Sequence, residues 1–262
     1  MAVTIHSKML AVNGRSIEVK YGLDEAYPPN RDLLGCFNAN TFPNIEIIHL
    51  MMRVIWPGDT VIDGGANIGT YTMMMSQLAG SNGTVIAIEP GENNLPWLRC
   101  NLQLNNASNT TVIEQPLWSM VKPVTLHLYE DGGGNALAPN GQAYQAALMT
   151  ATTIDQYLPA KFIKLDIEGS EVNALEPLDG PHACPFVIAE INEQALHLFS
   201  QNQHSLRQLM HSKGYETFAL SPQGEIPLLV PLNTKLLCTR ANSNVLFSTI
   251  PEVGRIWSLI AV

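Results

Sequence analysis

Asp59-Thr60-Val61-Ile62-Asp63-Gly64-Gly65-Ala66-Asn67-Ile68-Gly69-Thr70-Tyr71, followed by Thr84-Val85-Ile86-Ala87-Ile88-Glu89-Pro90, decides how the rest of the chain is read. The two segments read as a strand ending in an acid, a glycine-rich turn, a helix, and a second strand ending in another acid. Small residues at Gly64, Gly65, Ala66 and Gly69 let backbone approach a ligand, and the unpaired N–H groups that open the helix point at it. Glu89 follows about twenty residues after the turn, where a carboxylate can accept hydrogen bonds from ribose hydroxyls. Glycine after a strand can mark nothing more than a tight turn. The spacing to Glu89 is what makes this a nucleoside cradle.

Outward from the cradle the pattern alternates. Strands are predicted at 60–64, 84–89, 110–115, 161–167, 185–190, 215–220 and 244–249, and helices at 68–79, 92–105, 169–176 and 198–213. Such alternation predicts an α/β fold, with a mainly parallel sheet covered by helices on both faces and ligands at the carboxyl ends of the strands. Residues 1 to about 22 read as a hairpin turning at Asn13-Gly14. Tyr27-Pro28-Pro29-Asn30-Arg31 reads as a loop, and a helix runs from Asn44 to Trp56, stopped by Pro57-Gly58. The expected division is a hairpin and loop extension at 1–43 and a Rossmann-like domain at 44–262. Asp131-Gly132-Gly133-Gly134-Asn135 cannot pack a core and reads either as a surface connection or as a flap over an acceptor.

The net charge of −9 leaves no basic stripe to release counterions from a phosphate backbone, so nucleic acid is not expected as a partner. The opening Met1-Ala2-Val3-Thr4-Ile5-His6-Ser7-Lys8 has no apolar signal core, and Ile45 to Trp56 is broken by Glu46, His49 and Arg53. A soluble, cytoplasmic protein without a membrane partner is expected. Cys36, Cys100, Cys184 and Cys238 form no C-x-x-C pair and read as free thiols. His197, His204 and His211, seven residues apart on one predicted helix, suit a solvated face better than a metal site, and no metal ligands are assigned. Met73-Met74-Met75 reads as gap-filling core.

Lys161-Phe162-Ile163-Lys164-Leu165-Asp166-Ile167-Glu168-Gly169-Ser170-Glu171 is the second informative stretch. Extended backbone alternates its side chains, so Ile163, Leu165 and Ile167 share one face and Lys164, Asp166 and Glu168 the other. Charges in a strand that should be buried conflict with the fold, and such conflicts gather at functional sites. A structural ion pair of Lys164 with a carboxylate is the simpler explanation. The next strand, Phe186 to Glu190, ends in another acid; if the two strands are neighbours, Asp166, Glu168 and Glu190 converge beside the cradle. Converging carboxylates can serve as general base, as a clamp for hydroxyls, or as ligands of a hard cation, and the residues do not choose among these. Trp118 and Ser119, after the third strand, can flank a base or belong to the core.

Val61-Ile62-Asp63-Gly64-Gly65-Ala66-Asn67-Ile68-Gly69, Ile88-Glu89-Pro90, Thr153-Ile154-Asp155 and Ile163 to Gly169, in this order, resemble the FkbM family of S-adenosylmethionine-dependent methyltransferases, from about Pro57 through Phe247. The resemblance implies a class I methyltransferase fold, a seven-stranded sheet with a reversed last strand at Asn244 to Thr249. It implies S-adenosyl-L-methionine as cofactor and O-methylation of a small molecule or sugar. By that likeness Asp63, Gly64, Gly65, Ala66, Asn67 and Gly69 surround the methionine part of the cofactor. Glu89 with Pro90 holds the ribose, Trp118 and Ser119 lie near the adenine, and Asp166 lies near the sulfonium methyl. Asp166 is then the first choice for the base and Glu190 the second, with Lys164 holding their charge or touching substrate. Gly64 stands where the family commonly has an apolar residue, which is expected to loosen the turn. Residues 1–43 and the triple-glycine segment carry no likeness, so the acceptor stays open; the oligomeric state is not set by the sequence either. Gly64-x-Ala66-x-x-Gly69 with Glu89 also fits an NAD(P)-dependent oxidoreductase loosely, and a non-catalytic binding protein can keep the fold.

Overall fold

Alternating apolar side chains along the central strands point to two different cores, and that parity organises the molecule. The computed structural model describes residues 3–39, 41–130, 132–139, 141, 143–236 and 242–258. Val61 on strand β3 (Thr60–Gly64), Phe162 on β8 (Phe162–Leu165) and Phe186 and Ile188 on β9 (Phe186–Asn192) belong to one apolar cluster. Their neighbours Ile62, Ile163, Leu165, Val187 and Ala189 belong to the other. Both clusters are buried, which is why these strands read as continuous apolar runs.

Eight strands form the main sheet. From one edge their order is β11 (Leu228–Leu229), β10 (Glu216–Ala219), β12 (Asn242–Ser248), β9, β8, β3, β4 (Thr84–Ile88) and β5 (Thr110–Ile113). The pairs from β9 to β5 are parallel, and β12 runs antiparallel to both β9 and β10, the expected reversed last strand. The count exceeds the expected seven because two residues, Leu228 and Leu229, add an edge ladder to β10. This is the class I methyltransferase arrangement.

One face is covered by α2 (Ile45–Val54), α3 (Thr72–Ala79), α4 (Leu95–Leu104) and the hairpin of β1 (Thr4–Val12) and β2 (Arg15–Leu23), whose Val19, Tyr21 and Leu23 enter that core. Met73, Met74 and Met75 are fully buried there, as expected. The other face carries α5 (Glu171–Leu175), α6 (Glu193–Leu198) and α7 (Gln203–Ser212).

Several boundaries differ from expectation, each for a local reason. Residues 28–31 are not a loop but open helix α1 (Pro28–Asn38), because proline lacks only a donor that the first helical turn leaves unpaired anyway. The helix expected at 198–213 begins only at Gln203, and a separate helix, α6, ends at Leu198. Ser200 adopts φ 59°, and Asn192 and Asn202 each cap a new start by accepting from Ala195 N and Ser205 N. His197 therefore lies on α6, apart from His204 and His211 on α7, and all three are exposed. Helix α3 begins at Thr72 rather than 68, after positive φ at Asn67 and Gly69, and α4 begins at Leu95 rather than 92. Strand β8 ends at Leu165, short of 167. A second hairpin, β6 (Pro123–Leu128) with β7 (Gln145–Thr150), stands apart from the main sheet and carries the glycine segment at its tip. Asp131 of that segment and Cys238 lie outside the described residues; Cys36, Cys100 and Cys184 are free thiols.

Candidate active site

The turn after β3 is built so that three strands meet at it. Gly65 N and Ala66 N both donate to Ile88 O, and Gly65 sits at φ 78°. A Cβ at Gly65 would collide with the carbonyl oxygen of Asp166, so glycine is demanded by the backbone crossing and not only by a ligand. Gly64 departs from expectation. It is the buried last residue of β3, and an added Cβ would come 2.5 Å from Leu165 Cδ2, so glycine here tightens the packing instead of loosening the turn.

Glu89 is buried and anchors the far side of the turn. Its Oε2 accepts from Asn67 N at 2.7 Å, and its Oε1 accepts from Gly91 N at 2.8 Å and from Asn94 Nδ2 at 3.1 Å. Burial raises its pKa, and these three donors oppose the rise. Asn94 also donates to Gly132 O at 2.9 Å and accepts from Tyr27 Oη at 2.6 Å. Asn135 donates to Asn93 Oδ1 at 2.8 Å. Through Asn94 the glycine segment is thus latched to Glu89 and to Tyr27 at once.

Strand parity puts the charged residues on the face covered by the N-terminal extension. Asp63 and Lys164 are register partners on β3 and β8, and Glu190 lies two residues beyond Ile188, the β9 partner of Lys164. Lys164 is 2% exposed; its ammonium donates to Asp166 Oδ2 at 3.3 Å and lies 4.8 Å from the Tyr71 ring centre. Burial alone would lower its pKa, but Asp166, Asp63, Tyr71 and Glu190 hold it above the ordinary lysine value. Asp63 is also buried, and its Oδ2 accepts from Thr72 Oγ1. Burial, with Asp166 and Glu168 nearby, pushes the Glu190 carboxyl up to about 9. Asp166, Glu168 and Glu190 do converge: one ligand oxygen of each lies within 4.8 Å of the others.

Glu171 was not among the sequence candidates. Its Oε1 accepts from Ile167 N at 3.0 Å and Gly169 N at 3.4 Å, holding the turn that presents Asp166 and Glu168. Burial pushes this carboxyl from 4.5 up to about 7. A carboxyl raised on folding stabilises the fold fully below pH 4.5, and that contribution is lost as pH rises through about 7. Unfolding free energy measured by denaturant titration is therefore expected to fall across this window. In Glu171→Gln the decline attributable to this residue disappears; an unchanged pH profile would refute the assignment.

Two spaces meet over these residues. A narrow slot of about 50 Å³ is lined by Asn67, Ile88, Glu89, Pro90, Leu117 and Asn135, among others. A larger cavity of about 620 Å³ is walled by Pro28, Arg31, Pro43 and Tyr71, with Lys164, Asp166, Glu168 and Glu190 among its lining. Gly65, Asn67, Gly133, Asp166 and Glu168 border both. Ala66 lines only the larger cavity; Asp63, Gly64 and Gly69 line neither and lie packed beneath the turn. Trp118 and Ser119 also lie outside both linings. Trp118 packs against Phe199 at 5.8 Å and under Lys122, while its neighbour Leu117 reaches the slot.

A comparison with curated proteins found no match. Solved structures similar in chain trace include precorrin-6y C5,15-methyltransferase from Geobacter metallireducens, at 14% identity over 80% of this chain and 89% of that one, with a TM-score of 0.46. A SAM-dependent methyltransferase from Aquifex aeolicus aligns at 13% identity over 78% of this chain and 88% of that one, TM-score 0.43. Aeropyrum pernix fibrillarin with bound S-adenosyl-L-methionine aligns at 10% identity over 92% and 82%, TM-score 0.43. The sequence itself matches the family described as Methyltransferase FkbM domain over residues 63–217, which holds the turn, Glu89, Asp166 and Glu190. With the strand order and the acid-floored cavity beside the cradle, this match establishes that the chain belongs to the FkbM methyltransferase family.

Proposed function

We propose that this methyltransferase moves the methyl group of S-adenosylmethionine to a hydroxyl oxygen of a small molecule or sugar. The observation that carries the reading is the shared border of the two spaces: Asp166 touches both the slot beside Glu89 and the larger cavity. A donor reaching from the slot into the cavity, and an acceptor within the cavity, would meet at this carboxylate. An acceptor oxygen lone pair forms the new C–O bond while the C–S bond breaks. The electron pair stays on sulfur, leaving S-adenosylhomocysteine, and the hydroxyl proton passes to a carboxylate, Asp166 first and Glu190 second. Such a displacement needs aligned reactants and a proton acceptor more than covalent help. Lys164 holds the charge of Asp166 in place.

Residues 1–43 supply the acceptor-side wall through Pro28, Arg31 and Pro43, and we assign acceptor choice to this extension. The acid floor disfavours a polyanionic nucleic acid there. Among the described residues no helix is long and apolar enough to cross a membrane. The direct test incubates cell extract with the protein and isotopically methyl-labelled cofactor and follows the label by mass spectrometry. A labelled O-methyl product is expected. A rise in melting temperature with NADH but not with S-adenosylhomocysteine would support an oxidoreductase instead, and binding without turnover on any acceptor would support a non-catalytic protein.

Glu89→Ala is expected to weaken S-adenosylhomocysteine binding at least about tenfold, since hydrogen bonds to a charged group are worth about 1.5–3 kcal/mol each. The variant also leaves Asn67 N and Gly91 N without their acceptor, so a lower melting temperature is expected alongside. Calorimetry with unchanged affinity would move the ribose contact elsewhere.

A further inference from the structure

We propose that Asp166, Glu168 and Glu190 bind one hard divalent cation at the floor of the larger cavity. Binding itself does not depend on the methyltransferase reading; only the use made of the ion, holding an acceptor oxygen, rests on it. One oxygen from each residue lies within 4.8 Å of the others. Calcium holds oxygen ligands at about 2.3–2.6 Å, so ligands on opposite sides of it stand about 5 Å apart. Three oxygens at that upper separation stand about 2.8 Å from a common centre, so a small side-chain adjustment brings all three onto a single calcium ion. Magnesium or manganese, with bonds of about 2.1 Å, needs only a slight contraction of the side chains.

Glu190 supplies the independent reason to expect a ligand. It is 9% exposed and lines the cavity, yet among the described residues its carboxylate accepts no hydrogen bond and joins no ion pair. Buried carboxylates elsewhere in this fold are served differently. Glu89 takes backbone donors from Asn67 and Gly91, and Glu171 takes them from Ile167 and Gly169. A buried acid without donors is costly unless a cation or donor meets it. Lys164 reaches Glu190 only through its field: its ammonium makes its ion pair with Asp166 Oδ2, leaving Oδ1 of that residue for another partner. Asp166, Asp63 and Glu190 all gather around this single buried ammonium, so one lysine cannot pair with every carboxyl here.

Three carboxylate oxygens leave several coordination positions open, and those positions face the cavity. An acceptor hydroxyl, or two adjacent ones, can complete the shell and be held with its oxygen polarised. The ligand class implied is a hydroxylated acceptor bound through a divalent metal.

The test uses the full chain, stripped with EDTA and exchanged into metal-free buffer, and titrates Mn²⁺ by the electron paramagnetic resonance signal of the free ion. One Mn²⁺ per chain is expected, displaceable by Ca²⁺ or Mg²⁺. Glu190→Gln and Glu168→Gln are each expected to weaken it at least tenfold, and Asp179→Asn, at an exposed carboxylate, to leave it unchanged. No uptake by the unaltered chain would overturn the proposal, as would equal affinity in a folded Glu190→Gln. Should Glu190→Gln fail to fold, the half-buried Glu168→Gln decides alone. Parallel calorimetry with S-adenosylhomocysteine in EDTA separates the two readings. Cofactor binding without Mn²⁺ uptake defeats only the cation site, and Mn²⁺ uptake without cofactor binding defeats only the methyltransferase function.

Discussion

Gly65→Val is expected to leave a protein that neither binds S-adenosylhomocysteine nor melts at the temperature of the unaltered chain. The added Cβ falls on the carbonyl oxygen of Asp166, at a residue whose φ of 78° suits glycine. Holding a side chain in that conformation costs about 1–3 kcal/mol and forcing volume into a packed site about 1–3 more. The sum is a large share of the 5–15 kcal/mol that holds a typical domain together. Because the Cβ itself makes the collision, Gly65→Ala is expected to suffer as well, although less. Calorimetry and thermal melting of both variants check this; a folded Gly65→Ala with unaltered affinity would show that the β3 turn can move away from Asp166.

Asp166→Asn is expected to lower turnover by roughly 10² to 10⁴ while cofactor affinity changes little, the size of effect associated with losing a positioned proton acceptor. The substitution keeps the shape of the side chain. Lys164 retains Asp63 and Glu190 near its ammonium, so the variant is expected to fold. Single-turnover rates at saturating cofactor, set beside calorimetric affinities, give the comparison. Loss of cofactor affinity with turnover intact at saturation would make Asp166 a cofactor ligand. Near-normal turnover with a lower melting temperature would leave it as the partner of a structural ion pair, and the mechanism would have to be dropped.

The strand and helix alternation from Thr60 onward was legible in the chain because parallel strands buried on both faces must be apolar throughout, and the helices between them must be amphipathic. The cradle was legible for the same local reason. Gly65 and Glu89 sit at fixed offsets from strand ends, and those offsets follow from one β-turn-α-β unit. Local signals failed where one dipeptide has two meanings. Pro28-Pro29 can punctuate a loop or open a helix, and here it opens α1.

The convergence of Asp166, Glu168 and Glu190 was conditional in the sequence, since it required β8 and β9 to be neighbours, and strand adjacency is a property of the whole sheet. The cavity wall of Pro28, Arg31 and Pro43 was not legible at all, nor was the latch from Tyr27 through Asn94 to Gly132. Asn94 and Tyr27 are separated by 67 residues and carry no pattern in common. Periodicity and turn chemistry report what a residue does to its own few neighbours along the backbone. Which distant side chains then share a buried face is decided by packing the finished sheet against its helices, and the wall of the larger cavity at Pro28, Arg31 and Pro43 is made of such contacts.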